Sequence, residues 1–599
     1  MAVTPHTTSL PISPEALADI EKFEQQLARY LAGELEEDVF RVFRLNNGIY
    51  GQRQGGHNQM VRVKVPYGSL TPDQLDRLAH VADTYSRGWG HITTRQNIQF
   101  HFVPLEQVPQ VMRELAEVGL TTREACGDTV RNVQGCHLAG ACPFEVLDIS
   151  PWAEAAHRHF LRSPIAQRLP RKFKINFSGC ATDCGQAMFN DVGVVAVARP
   201  REDGSVEPGF RVFIAGGLGA NPHPAQALEE FTSREDLLPT IEAVLRVFDR
   251  SGNRENKLRA RLKWLVDTIG IDELRARVLK ERRFLVASAT WPGPGVPEVV
   301  REQGDAPAGV STSVEATPVG TPVTLRPRPG AEADPYSVWE QANVVRGVAK
   351  GTVSAIAFAR LGDITSAQFR GLAAAQRALG AEVRVTNRQN VVFRGLTEGQ
   401  LFDLHFRLDT LGMADPGAEM ARDVVACPGA DTCNLAVTQS RGLADDIGRA
   451  LDEAGLAEVG GIRINISGCT NSCGQHHISD IGFFGAERRA HGVSAPGYHM
   501  LLGGHVGQTQ IEFGQKAMRL PARNVSKAVV AVVGRFAGER EAGETFPDWL
   551  ARAGGAKAVG AELAELDVFP TPDDGPDFYV DFGETGPYVA TIGASECAT

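Results

Sequence analysis

The sequence has no run of about eighteen apolar residues, so it offers no candidate membrane span. Its opening stretch, MAVTPHTTSLPISPEALADI, has neither a basic first segment nor an apolar second one, and it does not read as a signal peptide. The expectation is a cytoplasmic protein that does not enter a membrane. Excess positive charge is also missing: 61 Lys and Arg face 72 Asp and Glu, for a net charge of −11, which argues against nucleic acid as a partner. Cysteine is scarce, with ten residues in 599. In a cytoplasmic setting disulfides are not expected, so what matters is how the ten are placed. Eight fall into two groups of four, while Cys126 and Cys597 stand apart. Clustered thiols of this kind point to metal or redox chemistry.

At 599 residues the chain is too long for one ordinary core, and several domains are expected. Internal similarity says how they arise. HITTRQNIQFHFV, from His91, matches VRVTNRQNVVFRGL, from Val383. VRNVQGCHLAGACPFEV, from Val130, matches ARDVVACPGADTCNLAV, from Ala421. FKINFSGCATDCGQ, from Phe173, matches IRINISGCTNSCGQ, from Ile462. Three blocks in the same order at nearly the same offset imply a duplicated chain of two similarly folded halves. A solenoid would need shorter periods and more copies. The internal pseudo-twofold makes a monomer the expected state. Strand-like alternation in MVRVKVPYG and FKINFSG, beside helical spacing in TPDQLDRLAHVADTYSRG, predicts a mixed α+β fold in both halves. Residues 291–335, rich in Pro, Gly, Ser and Thr, read as a linker or surface strap. The acidic, turn-rich tail after about residue 555 is expected to lie over the surface.

In the second half, Cys427 and Cys433 are separated by five residues and Cys469 and Cys473 by three. Four thiolates from two glycine-bearing loops suit a cubane iron–sulfur cluster. Structural zinc usually takes closer pairs, so the first spacing fits it poorly. Cys136, Cys142, Cys180 and Cys184 repeat the arrangement in the first half. Around that first set lie many cations. Arg62 and Lys64 fall on one face of a predicted strand, as do Lys172 and Lys174; Arg95 and Arg131 precede the cysteines. The plain reading of any one of them is surface charge. Taken together they suggest a site for an acidic cofactor and a small oxyanion. The segment 250–283, dense in Arg and Lys, is either a solvated helical face or a docking patch for an acidic partner.

At TTRQNIQFHF, RNV, LPRKFK, CPGADTC and SGCTNSCGQHHISDIG the sequence resembles the siroheme-dependent sulfite and nitrite reductases of the ferredoxin-dependent type, over roughly residues 38–550. The resemblance implies two ferredoxin-like half-domains (38–120 and 336–415), two siroheme/iron–sulfur-type domains (121–290 and 416–555), the 291–335 linker, and a 556–599 tail. It implies siroheme and a [4Fe-4S] cluster, with Cys427, Cys433, Cys469 and Cys473 as cluster ligands and Cys473 as the thiolate shared with the siroheme iron. It places Lys64, Arg131, Lys172 and Lys174 at the substrate face, Lys64 standing where the family usually has Arg. Arg62 lies near enough to compensate. Arg95, Gln99 and His101 match siroheme-contacting positions, and Arg388, the duplicate of Arg95, would meet another siroheme carboxylate.

The resemblance further implies six-electron reduction of sulfite or nitrite with electrons from ferredoxin, since no flavin or nicotinamide pattern stands out. Lys174 stands where nitrite-reducing relatives typically carry Asn, which favours sulfite. Some relatives join a Tyr and a Cys at the positions of Tyr50 and Cys126. One catalytic centre is expected, because Phe358 and Gly461 replace Lys64 and Lys172 in the duplicate; whether the first cysteine set binds a cluster stays open. A non-catalytic iron–sulfur protein and a zinc-stabilised scaffold are the rival classes, and neither needs an anion pocket.

Overall fold

The computed structural model of the chain describes residues 11–289, 291, 334–347, 351–507, 510–591 and 593; nearly all of the predicted linker and Cys597 lie outside them. The two halves repeat one another element by element. In the first, strands Ile49–Gly51, Asn58–Val63, Ile98–Pro104 and Trp89–Ile92 make an antiparallel sheet in that order. In the second, Val344–Arg346, Thr352–Ala357, Val391–Thr397 and Glu382–Val385 do the same. Each sheet then takes its fifth strand from the other half. Asp363–Thr365 pairs with Trp89–Ile92, and Ser69–Leu70 pairs with Glu382–Val385.

The exchange is reinforced by two equivalent helices, Pro72–Tyr85 and Ser366–Leu379, which pack on each other. Each opens with a capping box, Thr71 with Gln74 and Thr365 with Gln368, so both start at a defined residue. As a result the two half-domains share one hydrophobic core running from Ile20 to Leu120 and from Trp339 to Ala414.

That core also claims an N-terminal helix, Pro14–Leu31, ahead of the expected boundary at residue 38. Ser13 caps it by accepting from the Ala16 N–H. Its inner face buries Ile20, Phe23 and Leu27, worth about 1.5–3 kcal/mol per side chain.

The flanking domains each carry a mixed five-stranded sheet over a separate core. Gln134–Gly135, Ile175–Ser178 and Val192–Pro200 run parallel, followed by antiparallel Val206–Ile214 and Gln226–Thr232. Val425–Ala426, Ile464–Ser467, Ile481–Ala490, Val493–Leu502 and Gln515–Pro521 repeat the order. In both sheets the cysteine loops leave the carboxyl ends of two neighbouring parallel strands, where α/β folds place ligands. No helix among the described residues is long and apolar enough to cross a membrane.

Candidate active site and its pseudo-symmetric twin

In the second half, the loop after Val425–Ala426 carries Cys427 and Cys433, and the loop after Ile464–Ser467 carries Cys469 and Cys473. The residues shared by the two motifs build these loops. Ser467 Oγ accepts from Gly474 N (3.0 Å), and Asn465 Nδ2 donates to Gly474 O (2.8 Å). Asp480 accepts the Arg463 N–H (2.7 Å) and so fixes where the next strand begins. Gly468 donates its N–H to Cys427 Sγ (3.3 Å). Three of the thiols resist ionisation: the Cys427 pKa rises to about 12, from burial first and then from the Cys473 charge, and those of Cys433 and Cys469 rise for the same two reasons.

Among the described residues no three His, Cys, Asp or Glu side chains close on a single metal ion. Four thiols from two loops, near enough to feel each other's charge, are a donor set that a polynuclear cluster takes.

The tail bears on this centre. Its helix Ala556–Glu562 seats Gly560 against Ala517, and the chain then returns over the cysteine loop. Asp581 accepts from Gln439 N (2.9 Å), Tyr588 donates to Val437 O (3.0 Å), and Gly593 donates to Asn434 O (2.8 Å). The tail, expected to lie over the surface, is hydrogen-bonded to the segment that follows Cys433.

Facing these thiols is the first half's TTRQ turn. Thr94 Oγ1 donates to Cys473 O (2.9 Å), tying the turn to the second cysteine loop. Gln96, with φ +56°, bonds Val385 O and Gly135 N and locks the turn between sheets. Arg95 then projects among Asn176 Oδ1 (3.3 Å), Asn190 Oδ1 (3.3 Å) and Asn132 O (2.8 Å), with its Nε buried and unpartnered. Burial and then the nearby Arg131 lower its pKa to about 9. Arg131 is held by Gly127 O (2.8 Å) and Ala125 O (3.2 Å). Lys174 is partly buried, and among the described residues its ammonium has neither a hydrogen bond nor an ion pair. Burial, then Arg95, Arg261 and Lys172, push its pKa well down. The carboxylate opposing these cations is Asp191, already bonded to Arg261 (2.8 Å) and to Lys174 N (3.0 Å). Arg261 was not singled out from the sequence; it sits inside the basic stretch, where RLK repeats the alternate-cation spacing of RKFK.

Other expected residues sit differently. Lys64 is buried, ion-paired with Glu124 (3.5 Å) and bonded to Val130 O (3.2 Å), so its charge is turned inward. Arg62 donates to Cys126 Sγ (3.2 Å) and Ala125 O (3.4 Å) and pairs in register with Gln99. Tyr50 lies on the strand Ile49–Gly51, beside the strand that carries Arg62. His101 is buried, stacks on Trp89 (5.5 Å), and leaves both ring nitrogens without partners; burial holds it neutral. Arg388 pairs with Glu419 (3.1 Å) and Asp423 (3.9 Å) rather than standing open to a cofactor carboxylate.

Many charges of the basic stretch 250–283 are paired within the fold, while Arg259, Lys280 and Arg283 are exposed and make no ion pair among the described residues. Arg250 pairs with Glu281, Arg254 with Asp249, Lys257 with Asp128, Arg261 with Asp191, Arg277 with Glu273, and Arg282 with Glu229. Lys263 is buried against the carbonyls of Gly217 and Leu218.

The twin site has the same frame with different contents. Ile356 and Val392 pair in the register where Arg62 and Gln99 pair in the first half. With Phe358 and Ala418 they form an apolar cluster, and Leu138, from the first cysteine loop, packs against it. Its arginines are ion-paired, Arg388 as above and Arg422 with Asp452 (2.7 Å) and Asp415 (3.5 Å), while Arg388 Nε and Nη2 are buried without a hydrogen bond. The first site therefore fits a many-carboxylate macrocycle, since it offers surplus buried donors, including the orphaned Arg95 Nε. The twin fits one less well, because Arg388 and Arg422 already face carboxylates and the strand pair beside them is apolar.

Two family models match the chain: "Nitrite and sulphite reductase 4Fe-4S domain" over residues 126–284 and 417–561, and "Nitrite/Sulfite reductase ferredoxin-like half domain" over 50–118 and 347–409. An assimilatory ferredoxin-dependent nitrite reductase of Haloferax mediterranei is 31% identical over 538 residues, 86% of each chain. A sulfite reductase [ferredoxin] of Mycobacterium tuberculosis is 31% identical over 533 residues, 84% of this chain and 87% of the other. The solved structure of the Mycobacterium tuberculosis NirA protein superposes with a TM-score of 0.73 at 27% identity, covering 92% of this chain and 98% of that one. With both domain types doubled and the cluster loops in place, the chain belongs to the nitrite and sulphite reductase family, whose cofactors are siroheme and a [4Fe-4S] cluster.

Proposed function

We propose that the chain reduces sulfite to sulfide with six electrons taken singly from a ferredoxin-type donor. Cys427, Cys433, Cys469 and Cys473 would hold the cluster, with Cys473 shared with siroheme. Arg95, Gln99 and His101 line the side from which the macrocycle would be held, with Arg62 behind Gln99. Siroheme coupled to the cluster supplies the electrons and the iron that meets the substrate.

The chain's own part is charge and protons. Lys172, Lys174 and Arg131 neutralise the oxygens of an anion and donate to them as S–O bonds break. Lys174, with its pKa depressed by burial and by Arg95, releases a proton more readily than an ordinary lysine, which suits a general acid. Arg261 holds Asp191, which in turn holds the backbone of Lys174, so we assign it a positioning role. Lys64, neutralised by Glu124, also positions rather than contacts substrate.

The observation that carries this reading is the Lys174 ammonium, without a partner among the described residues, inside a group of cations opposed by Asp191. Nitrite is the alternative substrate, and two relatives of equal identity bear opposite names. The choice of sulfite rests on Lys174, because sulfite brings more negative charge and three oxygens. An absorption spectrum of the purified protein should show a Soret band and a band in the red, and colourless protein would sink the proposal. Lys174→Asn should lower sulfite turnover about tenfold more than nitrite turnover in steady-state assays with reduced ferredoxin. Equal losses would remove the substrate assignment.

A further inference from the structure

We infer that Cys136, Cys142, Cys180 and Cys184 hold a second [4Fe-4S] cluster, one without a tetrapyrrole, that stores an electron for the first.

The loops carrying these cysteines are built like those of the second half. Cys136 N donates to Phe177 O (3.0 Å) as Cys427 N does to Ile466 O (3.2 Å). Ser178 Oγ accepts from Gly185 N (3.1 Å), and Asn176 Nδ2 donates to Gly185 O (2.8 Å). Val146 N donates to Gly179 O (2.8 Å), matching Val437 N to Gly468 O (2.7 Å). Asn387 Nδ2 donates to Cys184 O (2.7 Å), the mirror of Thr94 and Cys473. Two buried arginines hold the first loop: Arg384 donates to Cys136 O (3.4 Å), and Arg394 to Ala139 O. They share one carboxylate, Glu382 (2.7 and 2.6 Å), and so leave a net positive charge beside a thiolate-ligated cluster.

What the twin lacks is the polar Arg62–Gln99 pair of the first site, since Ile356 and Val392 stand in its register. Leu138 leaves the same cysteine loop to join Ile356, Phe358 and Val392 in the space that faces Arg62 and Gln99 in the first site. The set is thus intact as a cluster cradle, and the side chains that Leu138 joins are apolar.

The two cradles meet at the pseudo-twofold axis. Gln186 and Gln475, each two residues past a cysteine and each in the left-handed region (φ +58° and +65°), exchange amide hydrogen bonds of 2.9 Å. Cys184–Gly185–Gln186 is thereby joined to Gln475–Gly474–Cys473 by one hydrogen-bonded step. An electron taken from the external one-electron donor by the cluster at Cys136, Cys142, Cys180 and Cys184 can pass along this link to the one at Cys427, Cys433, Cys469 and Cys473, with no bond made or broken. The relay rests on the proposed reductase activity; the cluster assignment does not.

Anaerobic reconstitution with ferrous iron and sulfide, followed by iron and acid-labile sulfide counts, tests the assignment. About nine irons and about eight sulfides per chain are expected, one iron belonging to siroheme. About eight of each with no tetrapyrrole band would support the second cluster while removing the reductase reading. About five irons and four sulfides with the tetrapyrrole bands present would overturn the inference and leave that reading intact. The double variant C136S/C180S should lose about four irons and one reduced-cluster EPR signal while keeping the tetrapyrrole bands; undiminished iron would overturn the ligand assignment. The same variant should slow reduction of the tetrapyrrole band by ferredoxin about tenfold or more, and an unchanged rate would remove the relay.

Discussion

Lys174→Met is expected to cut sulfite turnover by about 10²–10³-fold, the usual loss when one preorganised donor to developing charge is removed, and at the same time to stabilise the cofactor-free protein. The two effects share one cause. In the free protein the Lys174 ammonium is held among Arg95, Arg261 and Lys172 with Asp191 opposing, and burial followed by those charges pushes its pKa well below the ordinary lysine value. Between that depressed value and about 10.4 the unfolded chain carries a proton here that the folded chain gives up. The unfolded state then binds more protons, so stability of the free protein rises with pH across that window. Arg95, lowered to about 9, adds the same sign higher up.

Methionine keeps the stem and removes the charge, which should raise the denaturation midpoint at pH 7 and flatten its rise toward alkaline pH. Melts of cofactor-free protein at several pH values, beside steady-state rates of the loaded enzyme, make the check. A variant that is less active and also less stable would mean that Lys174 supports the fold rather than storing charge for an anion.

The sequence showed the chemistry of the site better than its architecture, for identifiable reasons. Cysteine spacing and the surrounding glycines are local, so the loops bearing Cys427, Cys433, Cys469 and Cys473 could be read directly. Strand exchange could not, because Ser69–Leu70 and Asp363–Thr365 are too short to show any periodicity. Alternation placed Lys64 beside Arg62 correctly, but its partner Glu124 lies 60 residues further on and leaves no mark in the strand. In the stretch 250–283 the cations are close in sequence, while the carboxylates that pair with Lys257, Arg261 and Arg282, namely Asp128, Asp191 and Glu229, arrive from elsewhere. Net charge over a segment says little when the neutralising carboxylates come from other strands. The N-terminal helix was legible in Ser13–Pro14 and the spacing of Ile20, Phe23 and Leu27, yet the family motifs drew the boundary later.

Gly474→Ala should abolish cluster binding and destabilise the second cluster domain by more than about 4 kcal/mol, a cost reserved for severe steric or polar insults. A Cβ there would lie 1.9 Å from Ile466 O and 3.1 Å from Ser467 Oγ. The nearest obstacle is backbone within a parallel strand, so no side-chain rotation relieves it. Moving the loop away would break the Ser467–Gly474 and Asn465–Gly474 hydrogen bonds that aim Cys473.

Gly185→Ala meets the same obstacle, with its Cβ 1.9 Å from Phe177 O, and should likewise empty the first cysteine set. Gly448→Ala is the control: it lies inside the helix Ser440–Glu453, a Cβ there has nothing within 4 Å, and the change should stabilise by up to about 1 kcal/mol. Denaturant midpoints and iron content read all three. If Gly474→Ala bound iron normally, the glycine after the second cysteine would not be required for the close strand-to-loop approach, and the repeated motif would need another explanation. If it lost iron while Gly448→Ala did not, the requirement would be local to the ligand loop, because a methyl group on a neighbouring helix would have left the loop undisturbed.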